Sequence, residues 1–348
     1  MLTGQPFLSV VIPTYNRRDS LRITLDGLVG QSYAPERFEV LVVCDGATDG
    51  TGEMVAEYAR AVPYPLRLIR QANAGPARAR NHGVRKAAGE VIVFIDDDVE
   101  PVPAFLDTHA AHHARDRAIV VIGPMNPDPR LRWLQTPWVA WEHAMLQKQY
   151  ANFQAGVWEP TPHNFYTGNA SVRREHLLAV CGFDEGFKRQ EDVEVAYRME
   201  RAQGVRFLFD PRAAGVHRPA RSFASWVRVP YEYGRLDVVR AQRGAASWDL
   251  LRNAYASRNP LTQALASLTL ACPTAAIPLR AILLAGARLA FRRRRAALSQ
   301  AALSVIYNLR YLEGMQAEIG STGEVSRLLR QGHPPSCEAT EKRANREA

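Results

Sequence analysis

The chain has 348 residues, 47% of them hydrophobic and 23% charged, so it is long enough to bury a full core and its composition is not that of a disordered protein. Its four cysteines are far apart and show no CxxC spacing, which argues against a zinc site and a disulfide framework and favours a reducing, cytoplasmic location. The net charge is +9, and all of the basic excess lies after residue 217, which indicates an anionic neighbour for the C-terminal third.

Short apolar segments and helical patterns alternate through the first part of the chain. The predicted strands are "LSVVIPTY", "FEVLVVCD", "LRLIRQ", "VIVFIDDD" and "AIVVIG", and the predicted helices span about 20–30, 51–61, 76–88 and 104–115. Strands that are separated by helices of this length form right-handed βαβ units, so we expect a mostly parallel sheet. The N-terminal residues have no basic region and no small-residue cleavage site, so we expect no signal peptide.

The alternation breaks at residues 125–162, which contain Trp, Pro and Gln, and we expect a covering or acceptor-side subdomain there. Order returns with a strand and a helix in "GNASVRREHLLAV". The next helix begins near Glu191 and ends before Gly204, which is a typical C-cap residue. Its first turn holds Glu191 and Asp192, where the helix dipole favours an ionised carboxylate.

Three consecutive carboxylates follow the fourth predicted strand, in "VIVFIDDDVEP". The strand is short, apolar and β-branched, which is typical of a strand covered on both faces. Its carboxyl end is where an open α/β sheet binds ligands. Asp96, Asp97 and Asp98 would repel one another unless a cation or several donors lay among them, and a divalent metal is the simplest solution. Capping of the next helix by these residues is the alternative.

Several motifs follow one another along the chain: "VVIPTYNR", "CDGATDGT", "NAGPARARNHGVRKAAGEVIVFIDDD", "GNASVRRE", "GFDE" and "EDVEVAYRM". Together they resemble glycosyltransferase family 2 over residues 7–235. The resemblance implies a GT-A fold, which is Rossmann-like with a mostly parallel central sheet flanked by helices, followed here by a helical, basic C-terminal extension. It also implies transfer of a sugar from a nucleotide-sugar donor with inversion at the anomeric carbon.

The aspartates after the fourth strand resemble the DxD motif of that family, which implies a site for Mn²⁺ or Mg²⁺ at the donor diphosphate. Asp98 is the expected direct metal ligand. Asp96 is expected to contact the ribose or a metal-bound water, and Asp97 to lie among the donor-binding residues. His217 resembles the histidine that supplies a further metal contact in many members; the alternative is an ordinary surface histidine.

The resemblance also assigns a pocket for the donor base. Asp45 is expected to accept the imide N–H of a uracil-like base, which favours a UDP-sugar, and Gly46 allows the tight turn beside it. The first motif is expected to contribute further donor-binding residues: Pro13, Thr14, Tyr15 and Arg17.

The diphosphate and the donor sugar have expected partners of their own. Arg80 of "ARARN" is expected to grip the diphosphate with its guanidinium group, or alternatively to pair with the acidic residues. Gly168 and Asn169 are expected to lie against the donor sugar, where Gly168 would tolerate no bulk.

The helix at residue 191 is expected to supply the catalytic acids. Asp192 is the expected general base, which takes the proton from the acceptor hydroxyl. Glu191 is expected to contact the acceptor or to orient a neighbour, although the two roles could be exchanged. Many family members carry Gly-Trp before this pair, and Gln190 stands here, which leaves the lining of the acceptor pocket open.

Two further groups have competing interpretations. The histidines of "HAAHHARD" have helical spacing but no carboxylate placed to complete a metal site, so we expect a solvated helix face at His109, His112 and His113. Three tryptophans would either stack on a sugar acceptor or pack in the subdomain core: Trp133, Trp138 and Trp141.

The basic C-terminal third begins with a loop and a helix at the edge of the cleft, and some of its arginines are expected to close over the diphosphate as a lid: Arg218, Arg221, Arg228 and Arg235. Residues 262–295 are apolar but broken by prolines and arginines, which favours a helix in the interface of an anionic membrane over a spanning helix. A helical pair packed on the catalytic domain is the alternative.

The expected domains are a catalytic domain over 1–240, with the donor half to about 124 and the acceptor half from about 125, a helical region over 241–335 and a disordered tail over 336–348. The first hypothesis for function is an inverting, metal-dependent glycosyltransferase of cell-envelope polysaccharide synthesis, with a glycan or lipid-linked acceptor at the inner membrane face and no nucleic-acid partner. A nucleotidyltransferase is the second, but "IPTYNRRDS" is not the glycine-rich basic phosphate loop it would need. A module that binds an anionic surface or nucleic acid is the third.

Overall fold

The computed structural model describes residues 4–131, 135–187, 189–243 and 247–331. The chain forms two compact units. The first holds the described residues up to 131 together with His143–Pro219, and the second holds Gln135–Glu142 and the described residues from Ala220 onward. The second unit therefore begins earlier in the sequence than the boundary expected near residue 240. Trp133 and the expected tail over 336–348 lie outside the described residues.

The first unit is built on a large sheet. Its strands are β1 (Leu8–Thr14), β2 (Phe38–Asp45), β3 (Leu66–Gln71), β4 (Val91–Ile95), β5 (Val99–Pro101), β6 (Ile119–Ile122), β7 (Met125–Pro127), β8 (Asn169–Arg173), β9 (Arg206–Phe209) and β10 (Gly215–His217). A seven-stranded sheet has the order β3-β2-β1-β4-β8-β6-β9, and a three-stranded sheet has the order β5-β10-β7. In the larger sheet only β8 is antiparallel to its neighbours, β4 and β6. The expectation of a mostly parallel sheet is confirmed.

Helices alternate with these strands, and all of them except α5 lie where the sequence predicted a helix. They are α1 (Arg18–Val29), α2 (Thr51–Tyr58), α3 (Pro76–Lys86), α4 (Phe105–Arg115), α5 (Pro137–Gln154), α6 (Arg174–Ala179) and α7 (Glu191–Gln203). The last of them ends at Gly204, which has the left-handed backbone conformation (φ 64°) of a C-cap glycine. Helix α5 lies within residues 125–162, where no regular pattern of strands and helices was predicted.

Strand β4 leads into the candidate site and is buried on both faces. Val91, Val93 and Ile95 pack in one hydrophobic cluster, whereas Ile92 and Phe94 pack in the other. This division follows from the strand geometry, because successive side chains point to opposite faces of a sheet. Each fully buried side chain of this size stabilises the fold by about 1.5–3 kcal/mol, so the position of the residues after β4 is firmly set.

The histidines of α4 are a correction to the sequence analysis. The expectation of a solvated helix face was wrong for His109 and His113, which are both completely buried. They point at β8, where the Ser171 hydroxyl and the Asn169 amide give their ring nitrogens hydrogen-bond partners. A neutral imidazole that finds such partners can be buried at small cost. His112 is half-buried and bonds to Asp210.

The second unit is helical. It contains α8 (Phe223–Gln242), α9 (Trp248–Ala256), α10 (Pro260–Ala271), α11 (Ala276–Arg292), α12 (Ala296–Ile319) and α13 (Thr322–Gln331). Helices α8 and α12 approach closely at two glycines. A Cβ atom on Gly234 would lie 2.0 Å from the Tyr311 carbonyl oxygen, and one on Gly314 would lie 1.9 Å from that of Tyr231. Among the described residues no helix combines the length and apolar character that a membrane crossing requires.

The two described tryptophans of the central segment lie in the core of the second unit. Trp138 and Trp141 are buried. The indole nitrogen of Trp138 donates to the carbonyl oxygen of Arg221 at 2.7 Å, and that of Trp141 donates to the Ser304 hydroxyl at 2.8 Å. Of the two interpretations, core packing is therefore the one observed for these two residues.

Candidate active site

The carboxyl ends of three neighbouring strands form the candidate site in the first unit. Strands β2, β1 and β4 are adjacent and parallel, so their carboxyl ends meet at one edge of the sheet. Thr14 ends β1, Asp45 ends β2, and Asp96–Asp98 follow β4. The topology thus brings together motifs that are far apart in the sequence.

The acidic cluster, Asp96–Asp98, contains three carboxylates with different surroundings. The Asp96 side chain is 39% exposed, and its Oδ1 lies 3.3 Å from Nη2 of Arg80. Asp97 and Asp98 are buried, and the guanidinium group of Arg17 pairs with both. Two arginines therefore offset part of the mutual repulsion that the sequence implied.

The two buried aspartates differ in ionisation. Burial raises the pKa of Asp97 to about 7, although the charge of Arg17 and a 2.7 Å hydrogen bond from the Thr14 hydroxyl act in the other direction. Burial also acts to raise the pKa of Asp98, but His217 and Arg17 together hold that pKa well below its usual range. Asp98 is therefore the carboxylate that stays ionised beside the histidine.

His217 and Asp98 form the candidate metal site. Strand β10 pairs with β5, so that His217 lies opposite Val99, and its Nε2 is 3.5 Å from Oδ1 of Asp98. In the described part of the chain, no group of three or more His, Cys, Asp or Glu residues encloses a cation site. Two protein ligands would leave the other coordination positions of the ion open. This suits Mn²⁺ or Mg²⁺ at a diphosphate, because substrate phosphates and water complete the coordination of such ions.

A second histidine lies beside the first and was not identified from the sequence. The rings of His143 and His217 are 5.4 Å apart between centroids and nearly perpendicular, at 81°. Burial, followed by the neighbouring His217, lowers the pKa of His143 to about 4, so its ring is neutral near pH 7. A lone histidine within "WEHAM" carries no sequence signal, because only the fold places it next to His217.

Asp45 is buried, and its carboxylate accepts three hydrogen bonds. Oδ1 accepts from Nε2 of Gln71 at 2.8 Å and from the backbone N–H of Ala74 at 2.9 Å, whereas Oδ2 accepts from the backbone N–H of Gly75 at 2.9 Å. A carboxylate offers about four acceptor positions. One position on Oδ2 is therefore left for a further donor.

The residues around the expected base pocket divide between internal contacts and the surface. The Thr14 hydroxyl group donates a hydrogen bond to the acidic cluster, and Arg17 forms an ion pair with it. The Tyr15 side chain, by contrast, is exposed. Gly46 has a positive φ of 76°, and a Cβ atom there would lie 2.8 Å from the backbone nitrogen of Asn73. The turn after β2 therefore requires glycine at this position.

Arg80 links the acidic cluster to α7. Its Nη1 lies 2.7 Å from Oε1 of Glu191, and both residues are buried. Its Nη2 reaches Asp96, and its Nε is buried with no hydrogen-bond partner among the described residues. Arg80 thus pairs with acidic residues, and its contact with the diphosphate stays a prediction.

Asp192 is the second residue of α7 and is half-buried. Its carboxylate accepts hydrogen bonds from the backbone N–H groups of Val193, at 2.8 Å, and Thr167. Burial, followed by the negative charge of Glu191, raises the pKa of Asp192 to about 7, while Arg80 acts to lower it. A carboxyl group with such a pKa is a suitable general base near neutral pH.

The loop before β8 packs closely against Asp96 at Gly168. The carbonyl oxygen of Gly168 accepts a hydrogen bond of 3.2 Å from the backbone N–H of Asp96. A Cβ atom on Gly168 would lie 2.8 Å from Oδ2 of Asp96 and 2.7 Å from Sδ of Met125. The Asn169 side chain is buried and points into the protein.

The arginines expected to form a lid each pair with an acid of their own unit. Arg218 pairs with Glu100 and Asp128 in the first unit. The pairs in the second unit are Arg221 with Glu142, Arg228 with Glu232, and Arg235 with Glu318. Closure over the diphosphate stays a prediction for these residues.

Comparison with solved structures shows that the protein shares its fold with glycosyltransferases. A mannosyltransferase from Pyrobaculum calidifontis, solved in complex with GDP-Man and Mn²⁺, has a TM-score of 0.61 and 26% sequence identity, with 88% of this chain and 87% of that chain covered. Residues 1–349 of Staphylococcus aureus TarS, solved in complex with UDP-GlcNAc, match with a TM-score of 0.50 and 20% identity over 90% of this chain and 92% of that chain. At that identity the similarity to TarS concerns the fold alone.

Sequence comparison identifies the family. A validoxylamine A glucosyltransferase from Streptomyces hygroscopicus subsp. limoneus is 33% identical over 239 residues, which cover 62% of this chain and 52% of that protein. The chain thus spans about half the length of the curated relatives it matches. The family model described as glycosyl transferase family 2 matches residues 9–180, which include the acidic cluster, Asp45 and Arg80. The sheet of the first unit agrees with these matches, and residues 9–180 belong to glycosyltransferase family 2.

Proposed function

We propose that the protein transfers a glycosyl residue from a nucleoside diphosphate sugar to a hydroxyl group of a glycan or lipid-linked acceptor, with inversion at the anomeric carbon. The observation that carries this proposal is the set of contacts at the two ends of the acidic cluster, where His217 meets Asp98 and Arg80 pairs with both Asp96 and Glu191. It joins residues that suit a diphosphate-bound cation to Asp192, which suits a general base. The P. calidifontis mannosyltransferase, which contains a nucleotide sugar and Mn²⁺, supports the same reaction class.

Asp192 is the proposed base. In its ionised form it accepts the proton of the acceptor hydroxyl group. The acceptor oxygen forms the new bond to the anomeric carbon on the face opposite the diphosphate, and the bond from that carbon to the diphosphate oxygen breaks with its electron pair going to the diphosphate. Glu191 is already committed to Arg80, so its proposed role is to hold that arginine and not to accept the proton.

The cationic side of the site is proposed to bind the donor phosphates. Asp98 and His217 would hold Mn²⁺ or Mg²⁺, which when bound neutralises the charge that develops on the departing diphosphate. Arg17 and Arg80 are the guanidinium groups that contact the acidic cluster. Because guanidinium groups bind phosphate oxygens in pairs of hydrogen bonds, we propose that both arginines contact the diphosphate.

A UDP-sugar is the proposed donor. Asp45 has one acceptor position left, on Oδ2, because Gln71 and Ala74 fill Oδ1 and Gly75 takes one position on Oδ2. A uracil ring would donate one imide N–H group to the Asp45 carboxylate. Guanine would present two adjacent N–H donors, which need a free acceptor position on each of the two carboxylate oxygens. The count of acceptors therefore favours uracil or thymine over guanine.

The test is a screen of UDP-, dTDP- and GDP-sugars with Mn²⁺ or Mg²⁺ and a panel of glycan acceptors, in which the released nucleoside diphosphate is measured. We expect metal-dependent release from a UDP-sugar that is lost in Asp98→Ala. Asp192→Asn should keep nucleotide binding in a calorimeter and lose transfer. Pyrophosphate release from a nucleoside triphosphate and a sugar phosphate would point instead to a nucleotidyltransferase, and absence of any nucleotide binding would reject the proposal.

We also propose that the second unit contacts an anionic membrane surface. Large apolar side chains on α10, α11 and the first turn of α12 are more than half exposed: Leu261, Leu268, Ile277, Ile282, Leu289 and Leu298. Exposed arginines lie in the last part of α11 and just after it, at Arg288 and Arg292–Arg295. Exposed apolar helix residues next to arginines suit a membrane interface with anionic headgroups, and a lipid-linked or cell-envelope acceptor would be presented there.

The membrane proposal is tested by sedimentation with vesicles that contain anionic or only zwitterionic lipids. We expect binding to anionic vesicles that falls with salt, and a loss of binding when Ile277, Ile282 and Leu289 are replaced by serine. The matched control is Val29→Ser, which removes an exposed apolar side chain from α1 in the first unit. Equal binding by the triple variant and the wild type would show that this face is not the contact.

A further inference from the structure

A chain of four buried polar side chains runs from α4 to the strand that follows Gly168. Nε2 of His113 lies 2.8 Å from the Ser171 hydroxyl, and the same hydroxyl lies 2.8 Å from Nδ1 of His109. Nε2 of His109 lies 3.3 Å from Oδ1 of Asn169. All four side chains are fully or almost fully buried, so water does not replace these partners.

The amide of Asn169 can have only one orientation. Its Nδ2 donates to the carbonyl oxygens of Pro124 and Ala213, at 3.0 and 2.8 Å, which uses both amide hydrogens. A flipped amide would place its oxygen against two carbonyl oxygens. Oδ1 must therefore accept a hydrogen bond, and the donor available is the Nε2–H group of His109.

This orientation fixes every proton along the chain. Because His109 is protonated at Nε2, its Nδ1 accepts from the Ser171 hydroxyl, which in turn accepts from the Nε2–H group of His113. Nδ1 of His113 is then a bare acceptor, and it is buried with no hydrogen-bond partner among the described residues. Burial lowers the pKa of His109 to about 4 and that of His113 well below its usual range, so both rings are neutral, in agreement with this assignment.

Asn169 joins β8 to the two segments that set the position of β10. Pro124 precedes β7, and its carbonyl oxygen also accepts from the backbone N–H of Gly215 at 2.9 Å. Ala213 precedes β10. The packing here is tight, since a Cβ atom on Gly123 would lie 1.9 Å from the carbonyl oxygen of Ala213. Strand β10 carries His217 at its end.

We propose that Asn169 is a positioning residue for His217 and not a ligand of the donor sugar: the buried histidine chain of His113, Ser171 and His109 orients its amide, and the amide holds β10 so that His217 faces Asp98. The inference rests on the proposed role of His217 in holding a divalent cation. It departs from the expectation that Asn169 touches the donor sugar, because both amide hydrogens and Oδ1 are used inside the protein. It also gives a function to the histidine motif of α4.

The experiment measures Mn²⁺ binding directly, by electron paramagnetic resonance of the full chain with UDP, together with thermal unfolding. Ser171→Ala removes the hydroxyl group that links the two histidines by hydrogen bonds. His109→Leu removes the ring N–H group that donates to Asn169. Loss of a group that orients a metal ligand typically costs about 10- to 100-fold in metal affinity, and we expect a loss in this range for both variants. His109→Gln, whose amide can replace the lost donor, should recover most of the affinity.

The control is His176→Leu on α6, which removes a histidine that hydrogen-bonds to Gln203 and to the carbonyl oxygen of Arg117 and takes no part in the hydrogen bonds to Asn169. The double variant Ser171→Ala/Asn169→Ala should lose little more affinity than Asn169→Ala alone, because both act through one amide. Lower thermal stability with unchanged Mn²⁺ affinity would overturn the inference, as would a loss of UDP-sugar binding in Asn169→Ala that Ser171→Ala does not share. Absence of Mn²⁺ binding by the wild type would instead reject the proposed metal site, and the inference with it.

Discussion

Arg80 and Glu191 form a buried ion pair between α3 and α7, with 2.7 Å between Nη1 and Oε1. They are 111 positions apart in the sequence, and each belongs to a different motif. The pair has two consequences for the site. It commits Glu191 to a structural contact, which is why Asp192 is the proposed general base. It also places a positive charge between the acidic cluster and α7.

Removal of Arg80 should therefore destabilise the fold. Arg80→Met leaves Glu191 buried without its partner, and breaking a buried pair in this way typically costs about 3–5 kcal/mol. Chemical denaturation of the variant measures the free energy of unfolding. The double variant Arg80→Met/Glu191→Gln should recover part of the loss, because no buried charge is left. If the double variant is less stable than Arg80→Met, the charge of Glu191 is not the cause.

The rate of transfer should depend on the ionisation of Asp192. The base acts in its deprotonated form and its pKa is raised to about 7, so kcat/KM for the acceptor should fall about tenfold per pH unit below 7 and level off above it. Glu191→Gln removes the neighbouring negative charge, which lowers the pKa of Asp192 and moves the acid limb of the profile to lower pH. The measurement is kcat/KM of the wild type and of Glu191→Gln from pH 5 to 9. An acid limb that Glu191→Gln leaves unchanged would contradict the proposal that Asp192 is the base.

Gly168→Ala should reduce transfer by about tenfold or more. The added Cβ would lie 2.8 Å from Oδ2 of Asp96, so the carboxylate must move, and overpacking of this kind typically costs about 1–3 kcal/mol of stability. The matched control is Gly286→Ala on α11, where nothing lies within 4 Å of the added atom. That variant should keep full activity and gain up to about 1 kcal/mol, since alanine favours a helix. Steady-state kinetics and thermal unfolding of both variants provide the test.

Gln71→Met should weaken the preference for UDP over GDP. The substitution removes the hydrogen bond that Gln71 donates to Oδ1 of Asp45 at 2.8 Å, which frees an acceptor for a second donor of the base. Competition of UDP and GDP for the same site measures the ratio of affinities, which we expect to shift several-fold toward GDP. The control is His82→Leu, which removes the other side-chain partner of Gln71 and leaves the bond to Asp45 in place. An equal shift in both variants would locate the effect outside Asp45.

Local sequence determined the sheet and the neighbourhood of the site. Alternating strand and helix patterns predicted the order of the elements, and a parallel arrangement brings the carboxyl ends of neighbouring strands together whatever the details of packing. The aspartates after β4 and the acids that begin α7 were predicted as site residues for this reason, since the local pattern defines where β4 ends and where α7 begins.

Tertiary structure alone decided which partner each polar side chain has. His109 and His113 look like surface residues in the sequence because their partner Ser171 lies on a strand 62 and 58 positions away. The Thr14 hydroxyl turns to Asp97, which is 83 positions away, and His143 meets His217 only in the fold. Burial of a polar group depends on whether a hydrogen-bond partner is present, and that partner is set by the packing of distant segments rather than by neighbours in the chain.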